Sequence, residues 1–593
     1  MKKSDNSIVK KVFRQNITAN ILNNLTWAIG ALVDTAIIGR FLGVDAMAAY
    51  SLVWPMTLIY ALVGGVLSGG SRNLYTLFAS KGDIKKANQI FSIATILSGG
   101  LSLVLVVLTF VFMTPLAKFL GASGENIILL PLVSQYLFGF VIGLPFDNTA
   151  KILSSYMGID YDQGRVFIAT AAMTAIKIVG DLVVVRFLNG GMFLLGCVTT
   201  IGNVVYCFVL ATHFLKKKRI LSFEPVGISE IFNKGKEMVA SGMSTGISRI
   251  STAISGIIIN DILSTLGGGS NYIAAYGVHK SMGNLIGVIY LGIAETVWLL
   301  SSIYFGEEDQ RALDELQRTA IRTGLAITTT IMVVILLFPN AFARIYINVN
   351  DTQALALATQ SIRVFALSIP LFLIVYIFDD YLMGTGKRTA ADIYSFLLGF
   401  GVVVPTVWIM SKIMGPSGVW FATPVYLLIM LFLTFAFINR WNNGETFDIK
   451  RLLLSSGFGP ANGAELAYSA DSILEIEGIS RLVGLFCKEN GIDDKKANII
   501  AICVEELGTN IIEHGFIDGK RHSIDIRIIA KDNELILRIR DDCRPFNIVE
   551  RYKMISTQDN NPEKNIGIRL VMNMCSDVKY VSTMGTNNLI IRI

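Results

Sequence analysis

The stretch ANQIFSIATILSGGLSLVLVVLTFVFM, residues 87–113, decides the fold class of this chain. It contains no charged residue, and it is longer than the roughly 20 apolar residues that a helix needs to cross a bilayer. Backbone amides and carbonyls in lipid must be bonded within their own segment, so a stretch of this kind is forced to be helical. The sequence therefore predicts a protein that is embedded in a membrane.

Similar apolar stretches recur on both sides of this one. We predict twelve spanning helices, whose approximate limits are 16–42, 47–79, 87–113, 128–157, 164–187, 191–215, 236–265, 272–305, 317–338, 355–383, 391–413 and 417–439. The composition agrees, because 52% of the 593 residues are hydrophobic and only 16% are charged. A soluble protein of this size needs more charges to cover its surface.

Basic residues are concentrated in alternate loops of this predicted topology. Four lysines lie within residues 2–11, a basic run occupies 216–219 after the sixth span, and another pair lies at 387–388 after the tenth. The side that carries such residues is cytoplasmic by the positive-inside rule. We therefore expect a multi-pass protein of the bacterial inner membrane with both termini in the cytoplasm. Much of the net charge of +6 lies in these loops, so it does not indicate nucleic-acid binding.

The two halves of the membrane region resemble each other at an offset near 225 residues. Ala48-Ala49-Tyr50 recurs as Ala274-Ala275-Tyr276, and the loop at 82–87 recurs at 306–312. Six predicted spans separate the copies, so both copies have the same orientation, as in transporters built from parallel repeats. We therefore expect an all-α membrane body of two six-helix bundles that rock about a central cavity.

One segment of the first span carries a recognisable signature. Val33-Asp34-Thr35-Ala36-Ile37-Ile38-Gly39-Arg40, followed by Leu42-Gly43 and Ala48-Ala49-Tyr50, resembles the first-helix signature of the multidrug and toxic compound extrusion (MATE) family. Lys177-Ile178-Val179-Gly180-Asp181 resembles the fifth-helix motif of that family, Asn-x-x-Leu-Asp. The resemblance covers about residues 12–440, and it implies cation-driven export of amphipathic, often cationic, small molecules.

Charged side chains inside the apolar spans are the first functional candidates. A charge at mid-membrane costs about 2.5–3.5 kcal/mol, so it is a functional candidate by default. A carboxylate in a cavity can exchange a proton for another cation, which is what a cation-coupled exporter needs; the alternative is a hydrogen bond between two helices. The candidates for transport and ion coupling are Asp34, Lys177, Asp181 and Glu295, with Asp379 and Asp380 in the tenth span.

Lys177 departs from the family motif, which has asparagine at that position. It stands four residues before Asp181, so the two side chains share one face of a helix. We predict that they form an ion pair. Such a pair would neutralise the acid or replace the coupling ion with a tethered ammonium, which puts ordinary H⁺ or Na⁺ coupling through Asp181 in question.

After about residue 465 the pattern changes to short, mixed elements. We predict strands at 472–477, 523–530, 534–540 and 588–593, and helices at 479–490, 495–514 and 566–575. This mixture favours an α+β sandwich with helices on one face of a sheet.

Three stretches of this C-terminal region carry chemistry. Glu506 and Asn510 are one turn apart on a predicted helix, where an amide oxygen can bind Mg²⁺ and a carboxylate can take a proton. The alternative for these two residues is a solvated helix face. Asp541 follows an apolar strand, and Asn565-Ile566-Gly567 opens a helix whose backbone N–H groups could face phosphate.

The order of these three stretches resembles the GHKL ATPase superfamily, most closely the bacterial anti-sigma-factor serine kinases, over about residues 470–593. The resemblance implies that Asn510 ligates Mg²⁺, Glu506 is the catalytic base, Asp541 bonds the adenine amine of ATP, and Gly567 approaches the nucleotide. Two glycines of the family are replaced, one by Cys543 and the other, in a Gly-x-Gly motif, by Asn565. The tail is then either an ATP-dependent serine/threonine kinase with an anti-anti-sigma-like protein partner or a degenerate ATP-binding module.

These observations predict a secondary antiporter with an ATP-binding regulatory tail. Its domains are two transporter bundles at 1–220 and 221–440, a linker at 441–465 and a cytoplasmic ATP-binding domain at 466–593. The sequence has no Walker A motif, so ATP is not expected to drive transport. One alternative is a membrane sensor whose tail phosphorylates or sequesters a regulatory partner, and a second is a lipid or oligosaccharide flippase.

Overall fold

The computed structural model describes the chain apart from residues 1, 4–6, 121–128, 161, 189, 217–218, 266–268, 347–351, 442–457, 459–463, 518, 520, 532–533, 559–565 and 584–585. Within some helices the side chains are also outside the described set, and Asp34 is one of these. The described residues form a helical body that extends to Trp441, and a tail that begins at Glu465 and contains a sheet.

The body is helical throughout its described elements. Its helices are α1 (Ser7–Ile37), α2 (Gly43–Ser80), α3 (Ile84–Val111), α4 (Met113–Phe119), α5 (Leu130–Val141), α6 (Leu144–Met157), α7 (Gln163–Arg186), α8 (Met192–Ala211), α9 (Ile228–Thr265), α10 (Gly269–Gly306), α11 (Gln310–Leu337), α12 (Pro339–Tyr346), α13 (Thr352–Gly384), α14 (Arg388–Phe396), α15 (Val403–Met414) and α16 (Gly418–Trp441).

Seven described helical segments are long and apolar enough to cross a membrane. They are Ile84–Val111, Gln163–Arg186, Met192–Leu215, Ala275–Gly306, Gln310–Leu337, Thr352–Gly384 and Thr389–Ala436. The pair α5 and α6, bent by 50°, makes an eighth if it is counted as one span. The described residues therefore support a multi-pass helical body, and the count of twelve spans stays a prediction.

The same turn precedes α3 in the first half and α11 in the second. Asp83 accepts a hydrogen bond from Lys86 N at 3.2 Å, and Asp309 accepts one from Ala312 N at 3.0 Å, so each acid caps its helix. The residue before each cap has positive φ, 77° at Gly82 and 53° at Glu308. The structural offset is therefore 308 − 82 = 226 residues, which places Gly82 opposite Glu308 and corrects the sequence alignment with position 306.

The tail supplies five strands of a six-stranded antiparallel sheet, which has helices on one face, and the start of the chain supplies the sixth. The strands are β1 (Lys2–Lys3), β2 (Glu465–Ala470), β3 (Ile524–Lys531), β4 (Glu534–Asp541), β5 (Asp577–Thr583) and β6 (Thr586–Arg592), in the order β1-β2-β3-β4-β6-β5. The helices are α17 (Ile473–Glu489), α18 (Asp494–Gly515), α19 (Ile548–Gln558) and α20 (Ile566–Met574). Alternate strand residues such as Ile526, Leu537 and Ile591 face the helices and form the tail core.

The predicted strand at 472–477 is wrong, because these residues begin α17. Ile476, Ile479 and Val483 are buried at spacings of three and four residues, which is the helical period, and they pack into the tail core. The other strands and helices predicted in the tail are present. The sequence pattern does not predict β1, β2, β5 or α19.

Candidate functional site

Charged side chains from both halves meet inside the helical body. The Arg72 guanidinium of α2 interacts electrostatically with Glu295 of α10 and Asp380 of α13. It also lies over the Trp298 ring, with the guanidinium carbon 3.8 Å from the ring centroid. Asn24 of α1 donates a hydrogen bond to the Glu295 carboxylate at 3.3 Å. Glu295, predicted from sequence as an ion-coupling residue, therefore lies where the two halves of the body meet.

A second arginine joins this cluster from α9. Arg249 interacts with Glu295 and with Asp147 of α6, and its guanidinium lies against Gly65 of α2, where an added Cβ would be 3.4 Å from Nε. Asp147 is also bound by the Lys151 ammonium at 2.5 Å. Arg249 is exposed, although it lies among these charged groups. The Arg249 end of the cluster is therefore accessible, whereas Arg72, Glu295 and Asp380 are half-buried.

The two adjacent acids of α13 have different environments. Asp379 is 2% exposed and accepts a hydrogen bond from the Ser395 hydroxyl of α14 at 2.9 Å. Asp380 instead interacts with the Arg72 guanidinium across the interface between halves. Asp379 is therefore tied into the second half of the body, whereas Asp380 belongs to the charged cluster.

The candidates in the first half lie on α1 and α7. Asp34 lies on α1, and its side chain is outside the described residues. Asp181 is buried on α7 and Lys177 is half-buried one turn earlier. The aliphatic stem of Lys177 packs against Gly202 of α8, where an added Cβ would be 3.1 Å from Cγ. The ion pair between Lys177 and Asp181 stays a prediction.

Sequence reasoning missed the basic members of the cluster and their acidic neighbour. Arg72, Lys151 and Arg249 lie within the predicted spans, and so does Asp147. The high cost of a charge in lipid, which had singled out the acids, applies equally to these residues. A search of the predicted spans for basic as well as acidic residues would therefore have identified all four residues.

In the tail, α18 and α20 bring two of the predicted nucleotide-site residues together. Glu506 is exposed on α18, and its carboxylate touches Gly567 in the first turn of α20. A Cβ at Gly567 would lie 3.1 Å from Glu506 Cδ and closer still to Oε2, so a larger residue at position 567 would displace the Glu506 carboxylate. Asn510 is half-buried one turn after Glu506 on the same helix.

Asp541 lies at the end of β4 and is 5% exposed. Its Oδ1 accepts hydrogen bonds from the Asn587 side-chain amide at 2.7 Å and from Cys543 N at 2.9 Å. Burial nevertheless raises the pKa of this carboxyl above its ordinary value. The chain therefore already supplies donors to Asp541, and an adenine amine would add a further donor.

Two positions, Cys543 and Asn565, replace glycines of the nucleotide-binding motifs, and the structure describes only the first of them. Among the described residues, the one non-glycine with positive φ is Glu308, so Cys543 sits on backbone that needs no glycine. Its sulfur packs against Gly515 at the end of α18, where an added Cβ would be 2.8 Å away. Asn565 lies outside the described residues. The replacement of glycine by Cys543 therefore causes no backbone strain of the positive-φ kind.

Comparisons with known proteins match both parts of the chain. The MatE family model matches residues 20–183 and 245–409, and the histidine kinase-like ATPase domain model matches residues 474–593. The multidrug export protein MepA of Staphylococcus haemolyticus is 23% identical over 435 residues, which cover 73% of this chain and 94% of that protein. An FAD transporter of Shewanella oneidensis is 34% identical over 127 residues, which are 21% of this chain and 27% of that protein.

Solved structures show the same fold. The Vibrio cholerae MATE transporter VcmN superposes with a TM-score of 0.67 at 16% identity, over 74% of this chain and 98% of that chain. An outward-facing multidrug resistance MATE family transporter of the MOP superfamily gives a TM-score of 0.66 at 18% identity, over the same shares of the two chains. The helical body of this chain therefore has the fold of these transporters.

Proposed function

Because the chain belongs to the MatE family and carries a histidine kinase-like ATPase domain, we propose that it is a cation-coupled exporter of amphipathic or cationic small molecules with an ATP-binding regulatory tail. The observation that carries this proposal is the charged cluster of Arg72, Glu295, Asp380 and Arg249 between the two halves. Charges placed there change their surroundings whenever the halves move apart. Alternating access supplies that movement.

The relatives support export of small molecules. The Staphylococcus haemolyticus relative is a multidrug export protein and is matched over nearly its whole length. We assign the two bundles to residues 1–220 and 221–440 with twelve spans in all. We place the protein in the bacterial inner membrane with both termini in the cytoplasm, on the strength of the basic loops.

The cluster suggests how a cation is exchanged. Arg72 shares the two acids Glu295 and Asp380, so a proton, Na⁺ or cationic substrate that binds one of them competes with the guanidinium. When the acid binds the incoming cation, Arg72 loses part of its attraction to α10 or α13. Since Arg72 belongs to the first half and both acids belong to the second, cation binding changes how strongly the halves attract each other. In the first half, Asp34 and Asp181 would bind the coupling ion, unless the Lys177 ammonium takes the place of that ion beside Asp181.

For the tail we propose binding of ATP with Mg²⁺. Asn510 would hold the metal, Asp541 would orient the adenine, and Gly567 would allow the phosphate chain to approach α20. When bound, ATP would supply a phosphoryl group, and Glu506 is positioned to take the proton of an accepting hydroxyl. The segment 441–465 links this domain, residues 466–593, to the body.

A second candidate function is a membrane sensor whose tail is a serine/threonine kinase acting on a regulatory partner. The retained Glu506 carboxylate beside Gly567 favours it. Ligand binding without flux would support the sensor, whereas flux driven by an ion gradient would support the exporter. Lipid scrambling by the same vesicles would indicate a flippase.

The exporter is tested in proteoliposomes with a panel of cationic dyes and an imposed H⁺ or Na⁺ gradient. We expect one of the two gradients to drive dye movement and Glu295→Gln to abolish the driven part. The matched control is Glu315→Gln, because Glu315 pairs with Lys10 at 3.2 Å outside the charged cluster. No driven flux of any dye with either ion, from folded protein, would refute the proposal.

A further inference from the structure

The outer face of the tail sheet, opposite the helices, carries three arginines. They are Arg527 on β3 and Arg538 and Arg540 on β4. Arg527 and Arg538 are directly paired across the two strands, an arrangement in which like charges repel. All three guanidinium groups are largely covered, with 8%, 13% and 9% of their side chains exposed. A face built in this way requires an anionic partner.

The partner is the turn between α10 and α11 of the body. Glu307 of this turn is 2% exposed. Its carboxylate forms a close ion pair with Arg540 and lies 3.5 Å from Arg538. Asn588 of β6 donates a hydrogen bond to the other carboxylate oxygen at 2.6 Å. One body carboxylate is therefore held by three side chains of the tail.

Arg527 binds the backbone of the same turn. It donates hydrogen bonds to the carbonyl oxygens of Glu307 at 3.1 Å and Glu308 at 2.8 Å. These carbonyls follow the last turn of α10, where helix carbonyls lack partners and attract cations. Glu308 also has φ 53°, a conformation that costs a non-glycine residue about 1–2 kcal/mol. The tail therefore binds a turn that is held in an unfavourable conformation.

The neighbouring charges of this contact are matched in sign. Arg311 of α11 lies 3.6 Å from the Glu465 carboxylate of β2, and Asp309 lies 3.8 Å from Arg540. Burial would raise the pKa of Asp309, but Arg527 and Arg540 outweigh it and lower the pKa below its ordinary value. The contact is therefore a buried network of alternating charges, which is more than a single surface salt bridge.

The tail also touches the first half of the body. The Lys11 ammonium of α1 forms a close ion pair with Asp542, which follows β4. Lys579 of β5 donates to the Lys81 carbonyl at 3.5 Å, and its side chain packs on Gly82. The sheet is extended at its edge by β1, which comes from the start of the chain and pairs with β2. One surface of the tail thus contacts both halves of the body.

The two halves are in close contact at this same end of the body. Gly306, at the end of α10, lies against the Ser80 hydroxyl at the end of α2, so that a Cβ at 306 has no room. Further inside, Trp298 Nε1 of α10 donates to Asn73 Oδ1 of α2 at 2.8 Å. Opening of the body at this end must separate α2 from α10. That movement pulls apart the two surfaces on which the tail rests.

We propose that the tail is a clamp that bridges the ends of α2 and α10 and holds the body closed on the tail side. The partner of its arginine-bearing sheet face is then the transporter body of the same chain. The tail must release the turn at Glu307, or the contacts at Lys11 and Lys579, before the body can open there. This inference rests on the alternating access of the proposed function.

The experiment measures hydrogen exchange and thiol labelling on the full-length protein in lipid nanodiscs. Arg540→Glu reverses the charge that faces Glu307. We expect amide exchange in residues 306–312 to rise by roughly tenfold or more. A cysteine introduced at Ser80, between the ends of α2 and α10, should react several-fold faster with a membrane-impermeant maleimide when Arg540→Glu is present. The reference is the protein that carries the same cysteine and retains Arg540.

The matched control is Arg481→Glu, which makes the same charge change on the exposed face of α17, on the other side of the sheet. If Arg540→Glu impairs folding of the tail, Glu307→Lys breaks the same contact from the body and leaves the tail sequence intact. Faster exchange at 306–312 with unchanged labelling at position 80 would overturn the clamp. Neither hydrogen exchange nor thiol labelling requires transport of a substrate. If Arg540→Glu raises both signals but the protein transports no dye, the clamp stands and only the proposed exporter function is contradicted.

Discussion

Removal of Arg72 should destabilise the body, and the structure indicates which second substitution restores it. Arg72 interacts with both Glu295 and Asp380. Glu295 retains a second cation, Arg249, whereas Arg72 is the cation that interacts with Asp380 among the described residues. Arg72→Met should therefore leave Asp380 as the uncompensated charge.

The magnitude follows from two contributions. A lone charge left in a buried site costs about 3–5 kcal/mol, and the lower end of this range applies because Asp380 is half-buried. Loss of the contact between the Arg72 guanidinium and the Trp298 ring, 3.8 Å from its centroid, adds about 0.5–2 kcal/mol. The double variant Arg72→Met with Asp380→Asn removes the lone charge and loses only the ring contact. It should therefore be more stable than Arg72→Met by about 3 kcal/mol.

The assay is equilibrium unfolding of the four proteins of this cycle in mixed detergent micelles, followed by tryptophan fluorescence. Arg249→Met is the matched control, because Glu295 then keeps Arg72 and Asp147 keeps Lys151 at 2.5 Å. The control should cost about 1 kcal/mol or less. Additive effects of Arg72→Met and Asp380→Asn would refute the reasoning and would mean that Asp380 carries no charge there.

Four further outcomes are expected. Asp34→Asn should keep the fold and lose gradient-driven dye flux in proteoliposomes; unchanged flux would make Asp34 a structural residue. Lys177→Met should lower expression and thermal stability more than Lys177→Met with Asp181→Leu does, since a lone buried charge costs about 3–5 kcal/mol, and additivity would exclude the pair. Calorimetry of the full-length protein should detect Mg²⁺-ATP binding that Asn510→Ala weakens, and no heat with folded wild-type protein would make the tail a protein-binding module. The Asp309 carboxylate contributes fully to tail docking above its unfolded pKa of 3.8, and this contribution is lost as the pH falls through its lower folded pKa. Amide hydrogen exchange at 306–312, corrected for the pH dependence of the intrinsic exchange rate, should show this loss. Asp309→Asn should remove this pH dependence.

The helical membrane body and six elements of the tail could be predicted from the sequence. An apolar run such as 87–113 has one stable conformation in lipid, because its backbone groups have no other partners. In the strand at 534–541, the inward apolar residues at 535, 537 and 539 alternate with outward residues that include the arginines at 538 and 540, which the sequence displays directly. The start of α17 was misread because a short apolar run at 472–477 fits either period.

The family motifs were also visible, since each is contiguous. Glu506 and Asn510 lie on one helix, so spacing alone places their side chains relative to each other. The pocket needed more than spacing. Gly567 of α20 contacts Glu506, and Asn587 of β6 donates to Asp541, only when the tail is folded.

The tertiary structure decided what the sequence left open, because the decisive contacts join distant segments. The charged cluster assembles Arg72, Glu295 and Asp380 from three helices of both halves. The ion pair of Glu307 with Arg540 spans 233 residues. In the sequence Glu307 belongs only to a repeated loop, and Arg540 only precedes a nucleotide motif. The sequence gives the sign of each charged residue and its position in a helix, strand or loop. The partner of that residue depends on which surfaces the fold brings together, and burial then decides how strongly the two charges interact.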